Sequence, residues 1–198
     1  MIGYTPNVLT SAVAELTIAL LLATSRRLLE ANRTIAGGTW AWTPTWMCGM
    51  DLCGSTVGLV GFGRIGQSIA KKLVAFDVSK ILYSAPREKP EAAKLKAVQV
   101  GLDKLLEESD FVIVTCPLTK ETTRMFTLEK FSLMKSSAIF INTARGGIVD
   151  QDALVCALEN KLIRAAGLDV MTPEPLPPDH PLLKLDNCVL SPHIGSAT

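Results

Sequence analysis

One stretch decides the fold of this chain: Thr56-Val57-Gly58-Leu59-Val60-Gly61-Phe62-Gly63-Arg64-Ile65-Gly66-Gln67. Its apolar start leads directly into Gly61-x-Gly63-x-x-Gly66, and a helix-like segment follows. This order of strand, glycine turn and helix is what a dinucleotide site requires. Gly61 permits a tight turn, Gly63 lets the backbone approach a pyrophosphate, and Gly66 lets the helix pack close to the strand. The pattern predicts dinucleotide binding, with a purely structural glycine turn as the alternative.

Length and composition indicate one domain, with an appendage at most. The chain has 198 residues, of which 48% are hydrophobic, and this is enough to bury a sizeable core. A formal net charge of +1 gives no reason to expect nucleic acid or a membrane surface as a partner. No apolar run approaches the length of a membrane span, and the N-terminus lacks the charged start of a secretory signal.

The cysteines predict reduced thiols and no metal site. They are scattered, odd in number and without metal-ligand spacing: Cys48, Cys53, Cys116, Cys156 and Cys188. We therefore expect an intracellular, cytoplasmic protein without a disulfide framework.

From Thr56 onwards, strand-like and helix-like segments alternate. The predicted strands are Val57–Val60, Lys80–Tyr83, Val98–Val100, Phe111–Thr115, Ala138–Asn142, Arg164–Leu168 and Cys188–Leu190. The predicted helices are Gly66–Val74, Leu102–Glu108, Glu129–Phe131 and Gln151–Glu159. This alternation predicts an α/β fold of the Rossmann type, a doubly wound parallel sheet with helices on both faces. The five prolines between Thr172 and Pro181 predict a loop.

The segment before this repeat has a different character. Leu9 to Asn32 predict one long helix, capped by Thr10 or Ser11. Thr39 to Gly54 contain three tryptophans, two cysteines and almost no charge. We expect residues 1–54 to form a helix and an interface arm of the cofactor domain, and residues 55–198 to form its dinucleotide-binding core.

The carboxyl ends of the predicted strands bring chemically active residues to one edge of the sheet, where parallel sheets bind ligands. Arg145 follows the fifth strand, Glu174 lies in the loop after the sixth, and His193 follows the seventh. Arginine binds carboxylates with two donors, and histidine transfers protons near neutral pH. A carboxylate behind the histidine fixes its tautomer and favours its protonated form. Together the three predict acid–base chemistry on an anionic carbonyl compound.

Each of these residues also has a structural alternative. The arginine could form a surface ion pair, the glutamate could be a solvated loop residue, and the histidine could be hydrogen-bonded within the loop. His180, the second histidine, is predicted to be a loop residue with no special role.

The end of the second strand discriminates between cofactors. An NAD site usually carries an acid about 20 residues past the glycines. Tyr83-Ser84 occupies that place, and Arg87 and Lys89 follow. A hydroxyl with a nearby cation suits a 2′-phosphate, so NADP(H) is preferred and NAD(H) remains possible. The alternative is that Arg87 and Lys89 are solvated loop charges.

Several motifs together resemble the D-isomer-specific 2-hydroxy acid dehydrogenase family. In matching order and spacing, they are Gly58–Gly66, Asn142–Gly146, Ala166–Val170, Pro173–Pro175 and Ser191–Gly195. Gly3–Pro6, the Trp-rich stretch through Gly49 and Pro175–Pro177 resemble its glyoxylate/hydroxypyruvate reductase branch. The resemblance covers nearly the whole chain.

This resemblance implies NADP(H)-dependent reduction of a small 2-oxo acid, glyoxylate or hydroxypyruvate, to the D-2-hydroxy acid. Reduced nicotinamide delivers a hydride, His193 donates the proton, Glu174 keeps His193 charged, and Arg145 holds the carbonyl and carboxylate. Pyrophosphate contacts are implied for Gly63, Arg64 and Ile65, and Gly61 and Gly66 complete the cofactor-binding glycine turn. The other implied cofactor contacts are Ser84 and Arg87 at the 2′-phosphate, Pro117 on the adenosine side, Thr143, Ala144 and Asp169 near the nicotinamide, and Gly195.

The resemblance also implies a homodimer formed through the first helix and the Trp-rich arm; the alternative is that these elements cover the core. Family members begin with a lid domain that completes the substrate site. This sequence starts where that domain would end, which predicts a cofactor half with poor turnover on its own.

The sequence also bears on two other functions. A non-catalytic, redox-sensing dinucleotide-binding module is the main alternative, because such relatives can retain the acid, histidine and arginine. A short-chain dehydrogenase needs the pattern Tyr-x-x-x-Lys. The positions four residues after Tyr4 and Tyr83 hold Val8 and Arg87 instead of lysine, which argues against that class.

Overall fold

The computed structural model describes residues 8–40 and 42–198, so the Gly3–Pro6 motif and Tyr4 lie outside the described residues. In the described chain, seven strands pair in parallel in the order β3-β2-β1-β4-β5-β6-β7. The strands are β1 (Thr56–Val60), β2 (Lys80–Ser84), β3 (Ala97–Gln99), β4 (Phe111–Val114), β5 (Ile139–Asn142), β6 (Ala165–Leu168) and β7 (Cys188–Leu190). The helices are α1 (Thr10–Ser25), α2 (Leu28–Ala36), α3 (Arg64–Val74), α4 (Leu102–Glu108), α5 (Leu128–Leu133) and α6 (Gln151–Glu159).

The predicted α/β fold class is confirmed. Every predicted strand end lies within one residue of the observed one. The central strands are buried on both faces and therefore appear in the sequence as apolar runs, whereas β3 is largely exposed. All four residues of β4 and of β5 are buried. The Pro-rich segment is a loop that ends in a short 3₁₀ turn at Pro181–Lys184, as its prolines require.

Helices cover both faces of the sheet. Buried residues of α1 and α3 pack on one face, where they form a single cluster with side chains such as Leu59, Ile113 and Ile141. Buried residues of α4, α5 and α6 pack on the other face, around Val112 and Phe140. The helix before the repeat therefore belongs to the same hydrophobic core as the strands.

The strand order reverses between β1 and β4. From β1 the chain proceeds outwards through β2 and β3, and then returns to add β4 on the other side of β1. The connections leave these two central strands in opposite directions, which opens a crevice at their carboxyl ends. The glycine turn after Val60 lies at this point.

The prediction of one helix from Leu9 to Asn32 is wrong. The helix is interrupted between Ser25 and Leu28, where Arg27 adopts a left-handed conformation with φ of 54°. The Met50 N–H donates to the Ser25 carbonyl (3.0 Å), and so a later segment satisfies the end of α1. Arg27 forms two hydrogen bonds with Glu30, at 2.7 and 2.6 Å, which hold the start of α2.

The predicted side-chain cap of this helix is also wrong. The N-cap residue is Leu9, and no side-chain hydrogen bond caps the helix. The Ser11 hydroxyl donates instead to Glu15 of the next turn (2.9 Å), so it is not available to the backbone.

The Trp-rich segment is attached to the core at one end and exposed at the other. A Cβ on Gly49 would lie 2.3 Å from the Ser25 carbonyl oxygen, so the chain passes very close to the end of α1 there. Trp40 and Trp42 are 64% and 79% exposed. In the described residues these two side chains do not cover the core, and no helix is long and apolar enough to cross a membrane.

Candidate active site

Gly61 makes the turn at the end of β1. Its φ of +99° is one that side chains rarely adopt, and its N–H donates to the Ser84 carbonyl at the end of β2 (2.8 Å). A Cβ on Gly61 would lie 2.6 Å from the backbone nitrogen of Cys116, which follows β4. Pro117, the next residue, is exposed. Conformation and space both require glycine at position 61, since the loops after β1 and β4 meet here.

The N-terminus of α3 faces open space. Gly63 is its N-cap residue in an extended conformation, and no side chain caps the helix there. A Cβ on Gly63 would meet no atom within 4 Å, whereas a Cβ on Gly66 would lie 2.7 Å from the Gly61 carbonyl oxygen. Backbone N–H groups at such a helix end suit a pyrophosphate, so the cradle fits a dinucleotide. Contacts by Arg64 and Ile65 stay predictions.

The end of β2 and the loop after it carry Ser84 and Arg87, whose contacts with a 2′-phosphate stay predictions. Ser84 is half-buried at the end of the strand, and Arg87 is exposed three residues later. Tyr83 is buried and stacked on Phe62, with ring centroids 4.3 Å apart. Its hydroxyl accepts a hydrogen bond from the Lys89 N–H (3.1 Å), which folds the loop back towards the strand end. No acid occupies positions 84–87.

The loop after β5 is shaped by Asn142, whose side chain is buried. Its oxygen accepts from the Ala144 N–H and its nitrogen donates to the Arg145 carbonyl, both at 3.0 Å. The Thr143 hydroxyl shares a 2.8 Å hydrogen bond with the Thr17 hydroxyl of α1. Sequence reasoning missed Asn142 and Thr17; a polar residue at the end of a buried strand is the signal that identifies the first.

Arg145 lies exposed on this loop. One guanidinium nitrogen donates to the Ala144 carbonyl (2.6 Å), and no carboxylate in the described part of the chain forms an ion pair with it. Its other donors are therefore available for a substrate carboxylate. A Cβ on Gly146 would lie 2.0 Å from the Met171 carbonyl oxygen. The loops after β5 and β6 are thus in direct contact.

Asp169 anchors the segment that carries the histidine. Its carboxylate is 1% exposed and accepts from the Ser191 hydroxyl (2.6 Å), the Ile194 N–H (3.0 Å) and the Gly195 N–H (2.8 Å). A buried carboxylate needs such partners, and these three bracket His193 in the sequence. The predicted contacts of Asp169 and Gly195 with a cofactor stay predictions.

The side chains of His193 and Glu174 are hydrogen-bonded to each other. His193 Nδ1 and Glu174 Oε2 are 2.8 Å apart, and Glu174 Oε1 accepts from the Met171 N–H (2.9 Å). Since Glu174 is an acceptor, Nδ1 carries a hydrogen and donates it. The other ring nitrogen, Nε2, is then the atom that can exchange a proton with a ligand.

The hydrogen bonds keep Glu174 ionised. Burial, the largest influence, raises the pKa of its carboxyl, but the hydrogen bonds from His193 and from the Met171 N–H lower it. The charges of His193 and Arg145 act in the same direction, and together they bring the pKa below its ordinary value of 4.5. A charged carboxylate therefore faces His193 throughout the neutral range.

A cleft of about 610 Å³ lies beside this pair. Its walls are mostly apolar, with Leu176, Leu183 and Leu190 among them, and His193 and Glu174 are its ionisable members. A second cleft of about 730 Å³ lies at the opposite, amino-terminal ends of β6 and β7, far from the glycine turn. No group of residues that could hold a metal ion occurs in the described ranges.

Comparison with known proteins identifies the family. The family model described as "D-isomer specific 2-hydroxyacid dehydrogenase, NAD binding domain" matches residues 18–195, a range that holds every residue of the predicted site. The chain belongs to this family. The resemblance inferred from the motifs is therefore confirmed.

Individual relatives of this 2-hydroxyacid dehydrogenase domain agree. The glyoxylate reductase/hydroxypyruvate reductase of Mus musculus is 54% identical over 100% of this chain, which spans 61% of that relative's length. The TT0316 protein of Thermus thermophilus has a TM-score of 0.93 at 49% identity, over 98% of this chain and 61% of that one. An acyclic imino acid reductase in complex with NADPH and D-Arg has a TM-score of 0.87 at 32% identity, over 98% and 60%.

The structure of this dehydrogenase domain brings together some predicted residues and not others. It pairs Glu174 with His193 and turns the Arg145 guanidinium back on its own loop. His180 caps the 3₁₀ turn at Pro181–Lys184, since its Nδ1 accepts from the Leu182 N–H (3.2 Å). Sequence reasoning did not detect this cap.

Proposed function

We propose that the chain is the cofactor-binding part of an NADP(H)-dependent reductase that converts a small 2-oxo acid, such as glyoxylate or hydroxypyruvate, to the D-2-hydroxy acid. The observation that carries this proposal is the His193–Glu174 pair, which lies at the same edge of the sheet as the glycine cradle. The relatives named glyoxylate reductase/hydroxypyruvate reductase support the substrate class.

His193, Glu174 and Arg145 each have a separate role in the proposed reaction. A bound reduced nicotinamide would supply the hydride. His193 donates a proton from Nε2 to the carbonyl oxygen as it gains negative charge, and Glu174 stabilises the imidazolium through Nδ1. Arg145 binds the carboxylate of the substrate and orients its carbonyl group.

The preference for NADP(H) rests on Ser84 and Arg87. Ser84 ends β2 and Arg87 follows the strand, with no acid between them. The imino acid reductase relative is described with NADPH, although the family description names NAD. Replacing Arg87 by Ala should weaken NADPH binding about tenfold and leave NADH binding unchanged, since only NADPH carries the 2′-phosphate. Calorimetric titration with each cofactor measures this. Equal weakening of both would contradict the preference.

A homodimer is part of the proposal. Several apolar side chains exposed on α2 and on the Trp-rich segment lie within residues 28–42: Leu28 (54%), Leu29 (40%), Ile35 (59%), Trp40 (64%) and Trp42 (79%). A second copy of the chain would cover them, because large exposed apolar residues mark interaction surfaces. Sedimentation should give twice the mass of the chain, and Trp42→Ser should shift the population towards monomer. A monomer at all concentrations would refute it.

These 198 residues should turn over substrate slowly by themselves. The side chains of His193 and Glu174 are 46% and 35% exposed, so water reaches the proton donor. A site that excludes water strengthens the electrostatic interactions on which catalysis depends. We therefore expect residues 55–198, with the segment 1–54, to act as a cofactor domain whose substrate site needs a further domain.

Replacement of His193 by Ala tests the function. Slow oxidation of NADPH by glyoxylate should fall at least a hundredfold, because general acid catalysis contributes about 10²–10⁴. The affinity for NADPH should not change. Tight NADPH binding with no turnover that depends on His193 would instead favour a redox-sensing module without catalysis.

A further inference from the structure

Gln151 holds the loop that carries Glu174. Its side-chain oxygen accepts from the Thr172 N–H (2.9 Å) and its nitrogen donates to the Thr172 carbonyl (2.7 Å). The backbone N–H and carbonyl of Thr172 are therefore both hydrogen-bonded to one side chain. A single residue, Pro173, separates Thr172 from the catalytic carboxylate.

The orientation of the Gln151 amide follows from these two bonds. A side-chain amide has one acceptor and one donor end, and only one orientation satisfies both groups of Thr172. The nitrogen also lies 3.0 Å from His180 Nε2. Gln151 is the first residue of α6, where the Asp150 side chain caps the helix by accepting from the Ala153 N–H (3.3 Å). The amide is therefore presented from a fixed helix end.

The backbone held by Gln151 is continuous with the partners of Glu174. Met171, which precedes Thr172, donates its N–H to Glu174 Oε1 (2.9 Å), while the other carboxylate oxygen faces His193 Nδ1 (2.8 Å). The Met171 carbonyl is confined on its other side by Gly146, where a Cβ would approach to 2.0 Å. The position of the carboxylate thus depends on where residues 171 and 172 are held.

We propose that Gln151 is a positioning residue that keeps Glu174 in hydrogen-bond contact with His193. The inference rests on the acid–base role proposed above for that pair. Without the amide, Thr172 loses both partners, the loop gains freedom, and the carboxylate spends part of its time away from the imidazole. The Nδ1–H of His193 then loses its carboxylate acceptor for part of the time.

Histidine NMR tests this without any need for turnover. The sequence has two histidines, so the Nδ1 resonance of His193 can be assigned with a His180→Asn variant and followed at a fixed pH. Glu174→Gln should shift this resonance, because a neutral amide oxygen is a weaker acceptor than a carboxylate. Gln151→Ala should give at least half of that shift. Gln151→Met, which keeps the length of the side chain but forms no hydrogen bonds, should do the same.

Combined variants separate positioning from general loosening. In a Glu174→Gln background, Gln151→Ala should cause no further shift, because the carboxylate it positions is gone. The matched control is Asn187→Ala, since the Asn187 amide also binds backbone carbonyls, those of Leu158 and Arg164, at the opposite end of β6. It should leave the Nδ1 resonance of His193 unchanged.

The outcomes distinguish this inference from the proposed function. An unshifted His193 Nδ1 resonance in Gln151→Ala and Gln151→Met, with the expected shift in Glu174→Gln, overturns the role of Gln151 alone. Additive shifts in the double variant overturn it as well. No shift in Glu174→Gln would instead remove the hydrogen-bonded pair on which the proposed function depends.

Discussion

At the scale of single residues, glycine has different roles at positions 61 and 63 of the same motif. Gly61 has a φ of +99° and no room for a Cβ, so the folded chain itself requires it. Gly63 has an ordinary extended conformation and open space around it, so the fold does not require it. The space that a Cβ would fill is the space over the N-terminus of α3, where a phosphate would lie.

We therefore expect the two glycines to respond differently to alanine. Gly61→Ala should reduce the free energy of unfolding by about 1–3 kcal/mol, because the conformation is strained and the Cβ meets the Cys116 backbone. Gly63→Ala should change stability by less than about 0.5 kcal/mol. It should nevertheless weaken NADPH binding by about tenfold or more. Urea unfolding and calorimetry measure the two effects, and a stable Gly63→Ala variant with full affinity would count against the cradle.

The ionisation of Glu174 gives the stability a pH dependence. Its pKa in the folded chain lies below the ordinary 4.5, so its stabilising contribution is present above pH 4.5 and disappears as the pH falls through the folded pKa. The stability difference between the unsubstituted chain and Glu174→Gln should therefore shrink between about pH 5 and pH 3. Urea titrations across this range measure it. Glu107→Gln, at an exposed position on α4, is the control, and an unchanging difference for Glu174→Gln would disprove the assignment.

The candidate acid–base residues could be predicted from the sequence, but the residues that shape the loops around them could not. Glu174 and His193 were found because the carboxyl ends of parallel strands share one edge. Gln151 and Asn142 were not, because both act on the backbone of neighbouring loops, and amide side chains do this in most loops without functional consequence.

At the scale of elements, the strands were predictable and the first helix was not. A parallel strand buried on both faces is an apolar run, and this local signal marks it to within a residue. The break at Arg27 depends on a distant segment, since Met50 satisfies the Ser25 carbonyl and Gly49 allows the approach. Arg26 and Arg27, which lie at the break, are residues that favour helices, so the local sequence gives no sign of it.

The edge strand β7 supplies a test of element burial. Burial raises the pKa of the Cys188 thiol to about 12, so almost no thiolate exists at pH 8. Cys48 and Cys53 are exposed on the segment before β1. A disulfide reagent should modify these two at once and Cys188 only as fast as the sheet unfolds, as peptide mapping would show. Rapid modification of Cys188 would mean that β7 detaches from β6 in the folded state.

At the scale of the whole molecule, the order of the strands places the site. The reversal between β1 and β4 opens the crevice, and the loop contacts that follow β5, β6 and β7 bring Arg145, Glu174 and His193 to its edge. α1 packs in the same cluster as α3 and the central strands, so the first helix stabilises the sheet that positions the site.

Cys116 reports on this crevice. Its backbone touches the Gly61 turn, and its half-buried thiol has a pKa raised by burial. Bound dinucleotide should slow modification of Cys116 at least fivefold, because the ligand covers the crevice and stabilises the closed loops. Cys156, half-buried on α6, is the control and should react at the same rate with and without ligand. Equal rates at Cys116 would contradict binding at this crevice.

This sheet edge is proposed to bind a phosphorylated nicotinamide dinucleotide. Calorimetric titration of the chain with NADPH and NADH at fixed salt tests that binding most directly. We predict that both bind at one site per chain and that NADPH binds more tightly, because Arg87 follows β2 where an acid would favour NADH. Tighter binding of NADH would contradict the cofactor preference alone. Binding of neither would contradict the assignment of the glycine turn as a working cofactor site.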